Sequence, residues 1–100
     1  MYRGTTPTLN ITLNIEVSTI KELYISFSQY GVVLIEKTLD DCTILGEKEL
    51  TITLTQEETL KLRDDCKVKS QIRAILNSGE VAASDIKESS VNAILKDGVI

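Results

Sequence analysis

Apolar and polar residues alternate along most of this chain. Residues 8–15 have the sequence TLNITLNI, in which leucine or isoleucine occupies every second position. Successive side chains of a β-strand point to opposite faces of a sheet, so this period of two predicts a strand with one buried face. The stretch 19–28 alternates in the same way, and its inward residues are predicted to be Leu23, Ile25 and Phe27.

Further strands are predicted along the rest of the chain. Tyr30 and Gly31 mark a turn, after which VVLIEKTL is predicted to be the hairpin partner of the second strand. The remaining extended segments are predicted at 42–45, 49–55, 66–76 and 81–91. The 81–91 segment is weakly apolar, which predicts an edge or bent strand with Val81 and Ala83 packed and Ile86 as a further candidate for packing. The last ten residues, VNAILKDGVI, are expected to form either a final strand or a short tail.

The sequence LTQEETLKL interrupts this alternation after the predicted strand 49–55. Thr55 and Glu58 have the spacing of a capping box, in which the threonine hydroxyl accepts from the amide of residue 58 and the glutamate accepts from the amide of residue 55. One short helical turn is therefore predicted near residues 56–62. Its expected role is to carry the chain across one end of the sheets.

The spacing of these elements predicts an all-β protein. About seven short strands, separated by turn signals and without a long helix, are typical of an antiparallel β-sandwich of the immunoglobulin-like kind. One hundred residues is an ordinary length for one domain, and 42% hydrophobic residues supply a core of Leu, Ile and Val. We therefore predict a single β-sandwich domain over residues 1–100, with a strand order that the pattern leaves open.

Charge and composition narrow the classes of partner. The chain carries 15 acidic and 11 basic residues, for a net charge of −4, and its basic residues are scattered. This balance repels phosphate backbones, so we expect no nucleic-acid partner. No apolar run approaches the roughly 20 residues of a membrane-spanning helix, so no membrane partner is expected either. The N-terminal residues also lack the apolar stretch of a signal peptide, which predicts that no signal peptide directs secretion.

The usual residues of catalytic and metal sites are scarce. The absence of histidine removes the commonest general base and a common zinc ligand. The aspartate pairs 40–41 and 64–65 lie at predicted turns, where aspartate commonly bonds the local backbone. Cys42 and Cys66 are expected to be packed free thiols, although the sequence leaves a disulfide between them open. We predict no catalytic, cofactor-binding or metal-binding residue, with a calcium site formed by the four aspartates as the alternative.

Two sets of residues are candidates for contacts with other proteins. The first is a ladder of long polar side chains on one face of the strand 66–76, formed by Lys67, Lys69, Gln71 and Arg73. This ladder fits either a solvated strand protected by lysines or a face that meets an acidic neighbouring subunit. Apolar side chains at chain termini are uncommon unless they dock on something. The terminal candidates are Tyr2 and Arg3 in the N-terminal arm and Leu95, Val99 and Ile100 in the C-terminal tail.

An ordered set of motifs covers nearly the whole chain. These motifs are RGTTPT, ELYISFSQYGVVLIEK, LTQEETLKL, KSQIRA and AILKDGVI. Together they resemble a family of short phage and prophage structural proteins encoded among virion morphogenesis genes. The strand pattern is also similar, more loosely, to the N-terminal β-sandwich of some phage baseplate proteins. The most specific positions are Arg3, Gly4, Thr6, Pro7, Phe27, Gln29, residues 54–60 and residues 71–73, whereas the segment DDCTILGEKEL departs from the pattern.

The resemblance implies a non-enzymatic building block of a virion, tail or baseplate. Its partners would be other phage structural proteins or further copies of itself, in a virion or in the bacterial cytoplasm, and no catalytic residue is carried over. The alternative is a β-sandwich module that binds a glycan or another ligand with its loops. Sugars stack on aromatic rings, and the chain offers only three tyrosines and no tryptophan for this purpose.

Overall fold

The computed structural model describes residues 1–100 as eight strands, one α-helix and two 3-10 turns. The strands are β1 (Thr8–Thr12), β2 (Ile20–Gln29), β3 (Val32–Thr38), β4 (Thr43–Ile44), β5 (Glu49–Thr53), β6 (Val68–Leu76), β7 (Val81–Ala83) and β8 (Lys87–Ser89). The helix α1 covers Gln56–Leu60, and the 3-10 turns cover Val17–Thr19 and Leu39–Asp41. None of these helices has the length and apolarity needed to cross a bilayer.

The strands form two antiparallel sheets. The smaller sheet has the order β1-β5-β4, and the larger has the order β3-β2-β6, with β7 and β8 both pairing with the outer edge of β6. The predicted all-β class and two-sheet architecture are confirmed. Immunoglobulin constant domains place their first, second, fifth and fourth strands side by side in one sheet. Here β1 pairs with β5 and β2 lies in the other sheet, so the likeness to those domains is one of architecture and not of connectivity.

Both sheets contribute to one aliphatic core. The predicted inward residues of β2, Leu23, Ile25 and Phe27, are all buried. From the smaller sheet Leu50 and Ile52 pack into the same cluster. Burying one such side chain stabilises a fold by about 1.5–3 kcal/mol. The apolar residues that recur at every second position therefore form one core between the two sheets.

The turn between β2 and β3 has an unusual residue at its first position. Tyr30 and Gly31 both have positive φ, at 53° and 73°. Two-residue hairpin turns of this type favour Asn or Gly because a left-handed conformation is sterically costly for other residues. The Tyr30 ring lies 5.5 Å from the Arg63 guanidinium, a contact that helps to hold the turn against the loop before β6.

The predicted capping box is confirmed. The Thr55 amide donates to Glu58 Oε1 at 2.9 Å, and the Glu58 amide donates to Thr55 Oγ1 at 3.1 Å. The same carboxylate lies 2.7 Å from Lys37 Nζ, on the core-facing side of β3. Burial alone would raise the pKa of Glu58, but the hydrogen bonds from Lys37 and Thr55 outweigh it and lower that pKa. This ion pair ties α1 to the larger sheet.

Gln29 is a buried polar residue at the end of β2, and only 3% of it is exposed. Its Nε2 donates to the carbonyls of Arg63 and Cys66 at 2.7 and 3.0 Å, and its Oε1 accepts from the Arg63 amide at 2.7 Å. The loop between α1 and β6 has no strand or helix partner for these backbone groups, and unpaired buried groups are costly. The side chain of Gln29 thus provides this loop with the hydrogen bonds that a neighbouring strand or helix would otherwise make.

Several predicted boundaries differ from the structure. The 81–91 segment divides into β7 and β8 because the chain bends at Ser84, whose Oγ accepts from the Ile72 amide at 3.0 Å. The expectation that Val81, Ala83 and Ile86 would be packed is wrong, since all three side chains are exposed along this outer edge. The last ten residues form a tail that contributes one isolated bridge, from Asn92 to Tyr2.

We expect the substitution Gln29→Leu to lower the free energy of unfolding by about 2–4 kcal/mol, because it leaves three partly buried backbone groups without a partner and removes a buried polar side chain. Urea denaturation provides the measurement. The matched control is Gln71→Leu, which removes a single hydrogen bond to the Ser84 carbonyl and should cost less than about 1 kcal/mol. An equal loss for the two variants would contradict this role of Gln29.

Candidate functional site

Arg3, predicted to contact other proteins, binds the backbone of its own chain. Its Nε donates to the Leu62 carbonyl at 2.6 Å and its Nη2 donates to the Leu60 carbonyl at 3.0 Å. Its Nη1 also lies 3.3 Å from Asp97 Oδ1 in the C-terminal tail. The guanidinium therefore holds together the end of α1 and the tail. Its neighbour Tyr2, by contrast, exposes 57% of its surface.

The structure brings the two predicted docking segments together. The Arg3 amide donates to the Asn92 carbonyl at 3.1 Å, and the Asn92 amide donates to the Met1 carbonyl at 2.7 Å. At the end of the tail, the Ile100 amide donates to Gln56 Oε1 at 2.9 Å. The backbone of both termini is thus tied to the body of the protein. The apolar side chains that the sequence singled out in the tail remain exposed; these are Leu95, Val99 and Ile100.

The predicted polar ladder lies on the outer face of the larger sheet. Lys69 and Arg73 are exposed, and Lys67 is exposed just before β6 begins. Gln71 is half-buried because its amide donates to the Ser84 carbonyl at 2.9 Å. Three of the four side chains are therefore available to solvent or to a partner, and both interpretations of the ladder stay predictions.

Burial and neighbouring groups change the pKa values of several titratable residues. No three side chains of the types that bind metals come together. Both cysteines are free thiols, and burial, assisted by Asp41, raises the pKa of Cys42. The neighbouring Asp65 carboxylate is the main reason that the pKa of Tyr30 rises to about 12, and the same interaction lowers the pKa of Asp65. These shifts hold each group in its ordinary protonation state near neutral pH.

A cleft that the sequence analysis missed lies between β1 of the smaller sheet and β7 of the larger one. It has a volume of about 620 Å³, and 13 of its 21 lining residues are hydrophobic. One wall is the inner face of the N-terminal segment, formed by Leu9, Ile11, Leu13 and Ile15, which are only half-buried. Core residues such as Phe27 form its floor, and Lys87 lies at its rim. The core is therefore accessible along this side.

The opposite side of the two sheets is closed. There the chain passes from β3 to β4 through the 3-10 turn at Leu39–Asp41, and both Leu39 and Cys42 pack against the core. The sequence predicts which side chains of β1 face inward, but not whether any element covers them. The signal available in the sequence was the weak apolar character of 81–91, which leaves only short strands to face β1.

Comparison of the chain with protein-family models, with curated proteins and with solved structures finds no match. Besides the motif resemblance, three features of the molecule bear on its function. These are the apolar cleft, the exposed apolar termini and the free edges of the sheets.

We expect Leu50→Ala to cost about 3–4 kcal/mol of unfolding free energy, because Leu50 is fully buried in the core. Ile11, its direct partner in the β1–β5 ladder, lines the open cleft, so Ile11→Ala should cost only about 1–2 kcal/mol. Urea denaturation at low protein concentration measures both values. Equal costs would mean that the cleft is closed in solution.

Proposed function

We propose that this chain is a non-enzymatic structural subunit of a phage-like particle, in the virion or associated with its tail or baseplate, and that it acts through protein–protein assembly. The observation that carries this proposal is its surface area. A monomeric protein of 11.1 kDa exposes roughly 5,650 Å². This chain exposes 6418 Å², an excess of about 770 Å². One partner contributes about 800 Å² to a protein–protein interface of standard size.

The distribution of exposed apolar residues supports the same proposal. Large apolar side chains lie exposed on the outer strands of both sheets, with Val32 and Val33 on β3, Ile44 on β4 and Val81 on β7. Others are in the C-terminal tail. The buried centre of a subunit interface is rich in apolar side chains of this kind. A subunit that contacts neighbours along several edges would bury these residues in the assembled particle.

The assignment to phage-like particles comes from the motif resemblance. Four of its motif residues have clear structural roles here, because Arg3, Gln29 and the Thr55–Glu58 capping box all hold α1 and the loop that follows it. These motif residues therefore stabilise a single region, α1 and the loop after it, at one end of the two sheets.

A ligand-binding module is the second candidate, and the cleft is the observation that favours it. Its volume of about 620 Å³ falls within the range of small-molecule sites. Its hydrophobic lining is aliphatic apart from Phe27 and contains no tyrosine, so it suits an aliphatic ligand better than a glycan. The cleft accounts for one wall of the molecule only, whereas assembly also accounts for the exposed residues on the other edges.

Density-gradient centrifugation of particles from an induced culture of the source strain tests the proposed function. Peptide mass spectrometry should find the chain in the particle band, at a constant ratio to the major coat protein across the band. The matched control is a cytosolic host protein of similar size and abundance, which should stay at the top of the gradient. Recovery of the chain only with that control would contradict a structural role.

A further inference from the structure

We propose that β1 is the strand through which two copies of this chain join. Their β1 strands would pair antiparallel across a two-fold axis, and the two three-stranded sheets would merge into one six-stranded sheet. This inference rests on the proposed function and deepens it by naming the first assembly contact. The occupant of the free edge is a second copy of the same chain.

The outer edge of β1 has free backbone groups. The Leu54 amide donates to the Pro7 carbonyl at 3.0 Å, and the Leu13 amide donates to the Lys48 carbonyl at 2.7 Å. With the antiparallel register between them, these two bonds show that odd-numbered residues of this segment bond β5. The N–H and C=O groups that point away from β5 belong to Thr8, Asn10 and Thr12, whose side chains are also exposed.

β1 lacks the features that usually prevent strands from pairing between molecules. Natural edge strands carry charges, proline or bulges, or are very short. Residues 8–15 contain no charged residue and no proline, and the ladder with β5 has no bulge. The other edges each carry such a feature. β3 contains the charged residues Glu36 and Lys37 and has a register shift at Leu34, and β4, β7 and β8 have only two or three residues each.

The sequence of β1 is complementary to itself. Antiparallel pairing centred on Asn10 would place Thr8 opposite Thr12 and Leu9 opposite Ile11. Threonine would then pair with threonine on one face, and aliphatic residues would pair on the other. A threonine pair of this kind already exists within the chain, where Thr8 Oγ1 lies 2.9 Å from Thr53 Oγ1. Cross-strand threonine and aliphatic pairs are favourable. In a two-fold contact, a charged residue near the axis lies close to the same residue of the other copy, and the two repel each other. This edge has no charged residue, so no such repulsion arises.

Pairing of β1 would also cover the open cleft. Leu9 and Ile11 of each copy face the cleft, and the strand of the second copy would continue this aliphatic wall past its mouth. The excess surface of about 770 Å² includes this wall, and an interface of standard size takes about 800 Å² from each partner. One contact would therefore satisfy the free backbone groups and the exposed aliphatic wall together.

Sedimentation velocity over a dilution series of the full chain tests the inference. We expect the 11.1 kDa monomer to convert to a species of twice that mass as concentration rises. Asn10→Lys places two positive charges beside the axis and should weaken dimerisation by about tenfold or more. The matched control, Thr43→Lys, adds the same charge to an exposed threonine on the opposite edge of the same sheet, and it should dimerise like the unmodified chain.

Disulfide trapping tests the register independently of any loss of folding. In a background with Cys42→Ser and Cys66→Ser, Asn10→Cys should form a covalent dimer on mild oxidation, because hydrogen-bonded antiparallel partners have Cα atoms about 5.5 Å apart. Thr43→Cys in the same background should remain mainly monomeric. Equal crosslinking of the two variants would overturn the proposed contact.

The outcomes separate this inference from the proposed function. A chain that stays monomeric at every concentration, or that dimerises equally well with Asn10→Lys and Thr43→Lys, overturns the β1 contact even if the chain co-sediments with particles. Dimerisation that Asn10→Lys abolishes and Thr43→Lys preserves supports the contact. If such a dimer is absent from particles, the proposed function fails and the β1 contact stands.

Discussion

The two sheets share one aliphatic core, and the chain closes that core on only one side. On the closed side the passage from β3 to β4 packs Leu39 and Cys42 against the core, and the Lys37–Glu58 ion pair ties α1 to β3. On the open side, three-residue strands face β1 and leave its aliphatic wall half-buried. This asymmetry produces the cleft, accounts for part of the excess surface and leaves one unprotected edge.

Local patterns in the sequence predict much of the fold. Alternation identifies the inward faces of β1, β2 and β5, and the Thr55–Glu58 spacing identifies the start of α1. The pairing of β1 with β5 depends on contacts between segments more than 35 residues apart, and many partners would satisfy the same alternation. The bend between β7 and β8 depends on the Ser84 side chain meeting the Ile72 amide, which no period of the sequence records.

The features of the candidate site are harder to predict from the sequence than the fold is. Arg3 was predicted to contact partners, but its guanidinium binds carbonyls at the end of α1. Gln29 has the same parity as Leu23, Ile25 and Phe27, so a polar residue at a core position was a signal of buried hydrogen bonding. The cleft has only an indirect signal, the weak apolar character of 81–91, because alternation shows only that a face is apolar. Whether that face is covered depends on the lengths of strands in the other sheet.

Residue-resolved amide hydrogen exchange on the Asn10→Lys variant tests most directly whether the edge of β1 is open in the monomer. We expect the amide exchange rates to alternate along β1. Exchange should be slow at Leu9, Ile11 and Leu13, whose amides bond the neighbouring strand, and fast at Thr8 and Thr12. In the unmodified chain at high concentration, the two threonine amides should become protected as well. Uniform protection along β1 in the monomeric variant would contradict the account, because it would mean that another part of the same chain covers this edge.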